Sequence, residues 1–120
     1  MPDGKICYIE IPATDIEASA DFYATVFGWT VRVRGDGARA FDDTTGAVSG
    51  SWVEGRSPKA EPGMLTYIMV DSIDATLAKV IAAAGRMATP RTPIGTSGEA
   101  FATFLDPAGN LVGLYEERRQ

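Results

Sequence analysis

The chain carries its clearest fold signal in the stretch Ile11-Pro-Ala-Thr-Asp-Ile-Glu-Ala-Ser-Ala-Asp-Phe-Tyr-Ala-Thr-Val-Phe-Gly-Trp29. Thr14 and Glu17 have the spacing of a capping box, and Gly28 supplies a stop at the other end. Between these signals, apolar side chains recur at helical spacing, at Ile16, Ala20, Tyr23, Val26 and Phe27. We therefore predict an amphipathic helix of about three turns.

Strands are predicted on both sides of this helix. Before it, residues 5–11 alternate, with Cys7, Ile9 and Ile11 on one face and Ile6, Tyr8 and Glu10 on the other. After it, strand composition alternates with turn residues, which predicts strands over 29–34, 38–41 and 47–54 with turns at 35–37 and 43–46. The first half of the chain is thus predicted to be βαβββ.

The second half repeats this order after a polar connector at 55–63 that contains two prolines. A strand is predicted over 64–70, and Ser72 can cap a helix that ends at Gly85 and turns inward the residues Ile73, Leu77, Val80, Ile81 and Ala84. Further strand segments are predicted at 86–92, 100–105 and 111–116, with a tight turn at 106–110. We predict one domain over 1–120, with module one at about 4–54 and module two at about 64–117.

The two halves look like an internal duplication. An offset of 57 residues carries Ile16 onto Ile73, Tyr23 onto Val80 and Gly28 onto Gly85. Any two amphipathic helices that end in glycine would align in this way. The matching strands before and after each helix nevertheless favour true duplication.

Composition limits the classes of partner. With 120 residues the chain has about one domain's length, and its formal net charge of −5 disfavours nucleic acid and anionic membranes. No apolar run has the length of a membrane span or the form of a signal peptide, so cytoplasmic localisation is the expectation. Cys7 is predicted to be buried and inert, because it lies in an apolar alternation.

The ordered motifs resemble the vicinal oxygen chelate superfamily, which includes glyoxalase I, bleomycin-resistance proteins, fosfomycin-resistance enzymes and extradiol dioxygenases. The resemblance rests on the strand-Pro-x-x-Asp-hydrophobic entry at 11–16, on Phe22-Tyr23 followed by 26–29, and on Leu105-Asp-Pro-Ala-Gly-Asn110 before a strand. It implies an α+β fold in which two βαβββ modules form a curved eight-stranded mixed sheet around a cleft. By analogy with the family, it also implies a homodimer.

The resemblance further implies four metal-ligand positions, on the first and last strand of each module. In this sequence they fall on Tyr8, Leu65, Gly113 and a position within 49–51, for which Gly50 is our choice. None of these residues offers an imidazole or a carboxylate, and the chain contains no histidine. We therefore expect no bound metal and no other cofactor.

Ligand-binding residues are expected on the face of the first strand that carries Tyr8 and Glu10, joined by Tyr67, Met69 and Tyr115 beside an open space at Gly113, and by Trp52. The tyrosines can equally fill the interior, and Trp52 can pack within a module or dimer interface. A carboxylate in a partly apolar cleft would have a raised pKa, which makes Glu10 the candidate general base. Its alternative is an ion pair, for example with an arginine. Glu99 lies by a predicted turn, where carboxylates are commonly solvated.

Three functions remain open. The first is a metal-free module that binds a small aromatic or amphipathic organic ligand in the inter-module cleft. The second is a metal-independent isomerase or lyase that uses Glu10 as base and Tyr8 or Tyr67 as proton donor. The third is a structural or regulatory dimer without a ligand. Metal-dependent glyoxalase or dioxygenase chemistry ranks last, because its ligands are missing.

Overall fold

The computed structural model describes residues 6–35 and 37–117. Its elements follow the order β1 (Tyr8–Pro12), α1 (Ile16–Phe27), β2 (Thr30–Val33), β3 (Arg39–Asp42), β4 (Ser49–Val53), β5 (Tyr67–Val70), α2 (Ile73–Ala82), β6 (Arg86–Ile94), β7 (Glu99–Leu105) and β8 (Leu111–Glu116). The predicted α+β fold with two βαβββ modules is confirmed. The chain divides into two compact units, one ending at Pro58 and the other beginning at Lys59.

The eight strands form two four-stranded mixed sheets, with the orders β1-β4-β3-β2 and β5-β8-β7-β6. The eight strands expected from the sequence are therefore present, four in each module. Each module pairs its own first and last strands in parallel, β1 with β4 and β5 with β8, and the other pairs are antiparallel. Because this parallel pairing closes within the module, each module completes a sheet of its own.

In the first unit, α1 begins one residue later than the capping box predicted. Asp15 is the N-cap, and its carboxylate accepts a hydrogen bond from the Ala18 amide at 3.1 Å. Thr14 is therefore not the cap, because the Asp15 side chain already satisfies the N3 amide. At the other end Gly28 has φ 74°, the left-handed conformation that a helix C-terminus favours in glycine.

An aromatic cluster joins α1 to the first sheet. Trp29 stacks on Phe41 with ring centroids 4.5 Å apart and on Tyr23 at 4.8 Å, and Phe41 lies 4.9 Å from Trp52. Tyr23, Phe41 and Trp52 are fully buried. Since Tyr23 belongs to α1, these contacts define the helix side of the first sheet, and the opposite side is its open face.

Cys7 is exposed, contrary to the prediction. The residue precedes β1, whose pairing with β4 begins at Tyr8 and Ser49. The Cys7 carbonyl still accepts the Ser49 amide at 3.0 Å. The strand predicted from the apolar alternation therefore starts too early, because the paired strand begins at Tyr8.

In the second unit, Ser72 caps α2 as predicted, by accepting the Ala75 amide at 3.2 Å. Ile73, Leu77 and Val80 are buried, but Ile81 is 60% exposed and Ala84 is also exposed. Ile81 follows Val80 directly and so points about 100° away from it around the helix. The helix closes earlier than predicted, at Ala82.

A buried carboxylate joins α2 to the end of β8. Glu116 is 1% exposed and accepts the Ile73 amide at 2.8 Å, which places it at the helix N-terminus. Its other oxygen accepts from Arg91 Nη2 at 3.0 Å, and the interaction with this carboxylate raises the pKa of Arg91. The negative charge is thus balanced by a guanidinium and by the helix dipole.

The predicted turn at 106–110 anchors the connector. The buried Asp106 carboxylate accepts the amides of residues 108, 109 and 110 at 2.9–3.0 Å and the side-chain amide of Asn110 at 3.0 Å. Asn110 in turn accepts the Lys59 amide, and the Leu111 amide donates to the Lys59 carbonyl. The aspartate and asparagine of this motif therefore serve the structure.

Across residues 6–35 and 37–117, no helix is both long and apolar enough to cross a membrane.

Ala84 gives a direct test of the end of α2. It has φ 76°, a conformation that costs an alanine about 1–2 kcal/mol and a glycine almost nothing. Because glycine also raises the entropy of the unfolded chain, Ala84→Gly should raise the free energy of unfolding by only about 0.5 kcal/mol. Ala83→Gly, at φ −102°, is the control and should lower it. Urea unfolding measures both, and equal destabilisation by the two variants would contradict the assignment.

Candidate functional site

The open face of the second sheet is the side opposite α2. The Glu116 side chain contacts the first residue of α2 and so lies on the helix side of the sheet. Leu114, two residues earlier in β8, and its partner Ala102 in β7 lie on the same side, because side chains alternate along a strand. Both are fully buried. The residues between them face the other way, and these are Tyr67, Met69, Phe101, Gly113 and Tyr115.

A pocket of about 350 Å³ lies on this open face. It is lined by Tyr67 of β5, Ile94 of β6, Phe101 of β7 and Tyr115 of β8, so every strand of the sheet contributes one side chain. Three aromatic rings and one aliphatic side chain make its lining mainly apolar. We call it the aromatic pocket. Sequence reasoning placed Tyr67 and Tyr115 at a binding site but missed Ile94 and Phe101.

The ring of Tyr67 lies directly over Gly113, its partner in the parallel β5–β8 pair. A Cβ atom added at Gly113 would be 2.6 Å from Cε2 of Tyr67 and 2.9 Å from its Cγ, closer than side chains pack. The expected open space at Gly113 is therefore occupied by Tyr67, a residue that is 49% exposed overall. The glycine allows the ring to lie against the sheet and form a wall of the aromatic pocket.

A carboxylate stands beside the pocket. The Tyr115 hydroxyl donates to Glu99 Oε2 at 2.7 Å, and Ser97 Oγ donates to Glu99 Oε1 at 2.9 Å. The hydrogen bond to Glu99, followed by burial, raises the pKa of Tyr115 above its usual value of 10.0. Glu99 was expected to be solvated by a turn. It begins β7 opposite Ile94 instead, and this register could not be deduced from the local sequence.

The open face of the first sheet is polar. Arg32 Nε donates to Asp42 at 3.2 Å, and Ser49 Oγ donates to the same carboxylate at 2.6 Å. The hydrogen bonds from Arg32 and then Ser49 lower the pKa of Asp42. On the same face the Tyr8 hydroxyl accepts from Arg34 Nη1 at 2.8 Å. Tyr8 thus borders charged groups, whereas Tyr67 borders an apolar pocket.

Glu10 forms an ion pair with Arg56 of the connector. The Glu10 side chain is 39% exposed, so the carboxylate is not enclosed by apolar neighbours. A general base needs an oxygen that can approach a substrate proton, and here a guanidinium occupies Oε1. The arrangement matches the ion-pair alternative for this residue.

Trp52 and Met69 lie in contrasting places. Trp52 is 1% exposed and belongs to the aromatic cluster on the helix side of the first sheet, so its burial favours packing within its own module. Its indole Nε1 has no hydrogen-bond partner within the described part of the chain. Met69, on the edge strand β5, is largely exposed on the open face of the second sheet.

The residues at the implied metal positions do not fit a divalent cation. Tyr8 pairs with Ser49, whereas a Cβ at Gly50 would meet the ring of Phe41, in the aromatic cluster on the helix side. Gly50 therefore lies on the helix side of β4, whereas its neighbour Ser49 lies on the open face with Tyr8, because neighbouring residues of a strand point to opposite sides. The choice of Gly50 as the metal-ligand position was wrong. Leu65 precedes β5, and the residue opposite Gly113 is Tyr67.

Correcting those two positions does not create a metal site. The corrected pairs are Tyr8 with Ser49 in the first sheet and Tyr67 with Gly113 in the second, and none of these residues supplies an imidazole or a carboxylate. Within residues 6–35 and 37–117 there is also no group of three or more cysteine, aspartate or glutamate side chains that could hold an ion.

Comparisons with known proteins point to one family. A family model described as the Glyoxalase/Bleomycin resistance protein/Dioxygenase superfamily matches residues 5–114. A glyoxylase-like domain-containing protein from Didymella fabae is 34% identical over 114 residues, which cover 89% of each protein. CFP32 from Mycobacterium bovis is 32% identical over 119 residues, covering 93% of this chain and 45% of CFP32. The chain thus spans less than half the length of CFP32.

Solved structures share the fold. A glyoxalase/bleomycin resistance protein/dioxygenase family enzyme from Burkholderia phytofirmans superposes with a TM-score of 0.78 at 22% identity, covering 94% of this chain and 98% of that one. At this identity the similarity supports the fold alone.

Gly113→Ala tests the contact with Tyr67. The new methyl group must push the ring away, so the free energy of unfolding should fall by about 1–3 kcal/mol. In a Tyr67→Ala background the same substitution should cost much less, because the obstructing ring is gone. Gly63→Ala, which has open space around it, is the control. Equal costs of Gly113→Ala in both backgrounds, measured by urea unfolding, would disprove the contact.

The link between Tyr115 and Glu99 can be read by ultraviolet titration. The absorbance difference between the wild type and Tyr115→Phe isolates Tyr115, which should ionise above pH 10, and Glu99→Gln should lower its pKa. A raised folded-state pKa stabilises the protein below the unfolded pKa of about 10. This contribution should be lost as the pH rises through the folded value. Unchanged ionisation of Tyr115 in Glu99→Gln would refute the pairing.

Proposed function

Because this chain belongs to the glyoxalase/bleomycin resistance protein/dioxygenase superfamily, we propose that it binds a small aromatic or amphipathic organic molecule in the aromatic pocket, without a metal ion. The observation that carries the proposal is the pocket's lining of three aromatic rings and one isoleucine side chain. The family supplies the scaffold, and the residues on this open face supply the chemistry.

The size and lining of the pocket suit such a ligand. Its volume of about 350 Å³ lies in the lower part of the range of about 300–1,000 Å³ typical of small-molecule sites. Tyr67, Phe101 and Tyr115 can offer ring faces or edges to a planar molecule, and such aromatic pairs contribute about 0.5–1.5 kcal/mol beyond their buried area. The Tyr115 hydroxyl adds a polar group at one side. This combination favours ligands with one apolar surface and few polar groups.

We propose binding without a metal because the positions implied for metal ligands carry residues that are packed or hydrogen-bonded to other side chains. In the second module, Gly113 has no side-chain atom that could bind a metal, and the ring of Tyr67 covers it. In the first, Tyr8 and Ser49 are engaged with Arg34 and Asp42. A carboxylate at position 113 would displace the ring that forms part of the pocket. On this open face, metal binding and the aromatic pocket are therefore alternatives.

A thermal-shift screen with planar aromatic metabolites and antibiotics tests the proposal. A compound that binds the folded state raises Tm in proportion to the logarithm of its concentration above Kd. We expect at least one compound to raise Tm, and the shift to be the same with and without EDTA. Tyr67→Ala and Phe101→Ala should reduce the shift.

The control is Val33→Ala, which removes an exposed apolar side chain of the first unit and should leave the shift intact. A screen without any Tm shift would contradict ligand binding. A shift that survives Tyr67→Ala and Phe101→Ala would contradict the aromatic pocket as the site. Loss of the shift in EDTA would contradict metal-free binding.

A further inference from the structure

The Tyr115 hydroxyl lies at one end of the aromatic pocket. Tyr115 pairs with Phe101 in the β7–β8 ladder, but its hydroxyl reaches Glu99, two residues before Phe101 on the same face of β7. Glu99 is in turn paired with Ile94 in the β6–β7 ladder. Because Phe101 and Ile94 both line the pocket, the hydroxyl oxygen lies beside these two lining residues.

The proton of this hydroxyl is donated to Glu99. The Tyr115 hydroxyl lies 2.7 Å from Glu99 Oε2, and an ionised carboxylate can only accept a hydrogen bond. Any further contact of the carboxylate leaves this direction unchanged, since a carboxylate paired with another donor still has no proton of its own. The hydrogen bond to Glu99, followed by burial and by the charge of the carboxylate, raises the pKa of Tyr115, so the phenol stays neutral near pH 7.

The Tyr115 oxygen keeps its capacity to accept. A phenolic hydroxyl has one proton to donate and can also accept through its lone pairs. The single proton points to Glu99, and no residue within 6–35 and 37–117 donates a hydrogen bond to this oxygen. A ligand in the pocket therefore meets the oxygen as an acceptor and not as a donor.

Tyr67 is the other lining residue with a hydroxyl group, and it does not discriminate in this way. It is 49% exposed, and its hydroxyl has no hydrogen-bond partner within the described part of the chain. Its proton can therefore turn toward a ligand or toward water, so this hydroxyl can donate or accept. Phe101 and Ile94 have no polar side-chain atom. Discrimination between donors and acceptors by the lining thus depends on Tyr115.

We propose that the aromatic pocket selects planar aromatic molecules with an N–H or O–H donor at the ring edge, and that this donor binds the Tyr115 hydroxyl oxygen. The inference rests on the proposed function and adds a selection by hydrogen-bond polarity. A buried ligand donor finds its acceptor in Tyr115, whereas a ligand acceptor at the same place would meet lone pairs and stay unsatisfied. Glu99 is a positioning residue, because it fixes the direction of the hydroxyl proton.

Three probes with the same frame of one five-membered and one six-membered ring test the selection. Indole carries an N–H donor, benzoxazole carries an acceptor nitrogen and no donor, and indene carries neither. Titration of the intact chain, followed by the NMR signals of each probe, should show that indole binds at least about threefold more tightly than indene, as one neutral hydrogen bond warrants. Benzoxazole should bind no more tightly than indene.

Two substitutions assign the selection to the Tyr115 oxygen. Tyr115→Phe removes the acceptor and keeps the ring, so the affinity of indole relative to indene should fall to about one. Tyr67→Phe is the matched control, because it removes the hydroxyl of the same pocket whose proton is not fixed by a partner. Absolute affinities can change in this control, but the preference for indole over indene should persist.

Glu99→Ala tests the positioning role, because it releases the hydroxyl proton of Tyr115. The hydroxyl can then turn and donate to a ligand, so benzoxazole should gain at least about threefold in affinity while indene keeps its own. A residue that only stabilised the fold would change the binding of all three probes together. If Glu99→Ala does not fold, the comparison of the wild type with Tyr115→Phe still decides the proposal.

The outcomes separate the two proposals. Equal affinities of the three probes, or tighter binding of benzoxazole than of indole, would overturn the selection and leave ligand binding in place. A preference for indole that survives Tyr115→Phe would also overturn it. If the probes do not bind, the ligands found by the thermal-shift screen replace them, each compared with its N- or O-methylated form, and ligands without any donor would again overturn the selection. If neither the probes nor the screen gives a ligand, the proposed function itself fails.

Discussion

The contact between the Tyr67 ring and Gly113 decides what the open face of the second sheet can hold. The ring can lie against the sheet only because its partner in the β5–β8 ladder has no side chain. A donor atom at position 113 and a ring at position 67 exclude each other sterically. The same contact therefore removes a metal position and provides one wall of an apolar pocket, and the proposed function depends on both effects.

The two modules share a topology and differ in the chemistry of their open faces. Arg32, Asp42 and Ser49 form a hydrogen-bonded network on the first sheet, and Arg34 binds the Tyr8 hydroxyl there. The second sheet carries the aromatic pocket at the corresponding side. Since the helix side of each sheet must be apolar to form a core, two modules of the same topology can still differ on the open face. We infer that function is carried there.

Local signals were sufficient to predict the fold. The bounds of α1 follow from its apolar period and Gly28, and β8 follows the aspartate–asparagine turn, because caps and turns are set by a few neighbouring residues. Because side chains alternate along a strand, an error of one residue in the register assigns a side chain to the wrong face. Gly50 was assigned the wrong face of β4, and the strand containing Cys7 was extended too far.

The pocket itself was only half predictable, because Ile94, Phe101 and Glu99 join Tyr67 and Tyr115 through pairing between strands distant in sequence.

The most direct test of the account is the NMR shift of the Gly113 α-protons. An aromatic ring above them must move their signals upfield relative to Tyr67→Ala. Identical shifts in the two proteins would show that the ring does not cover Gly113 and would contradict the account.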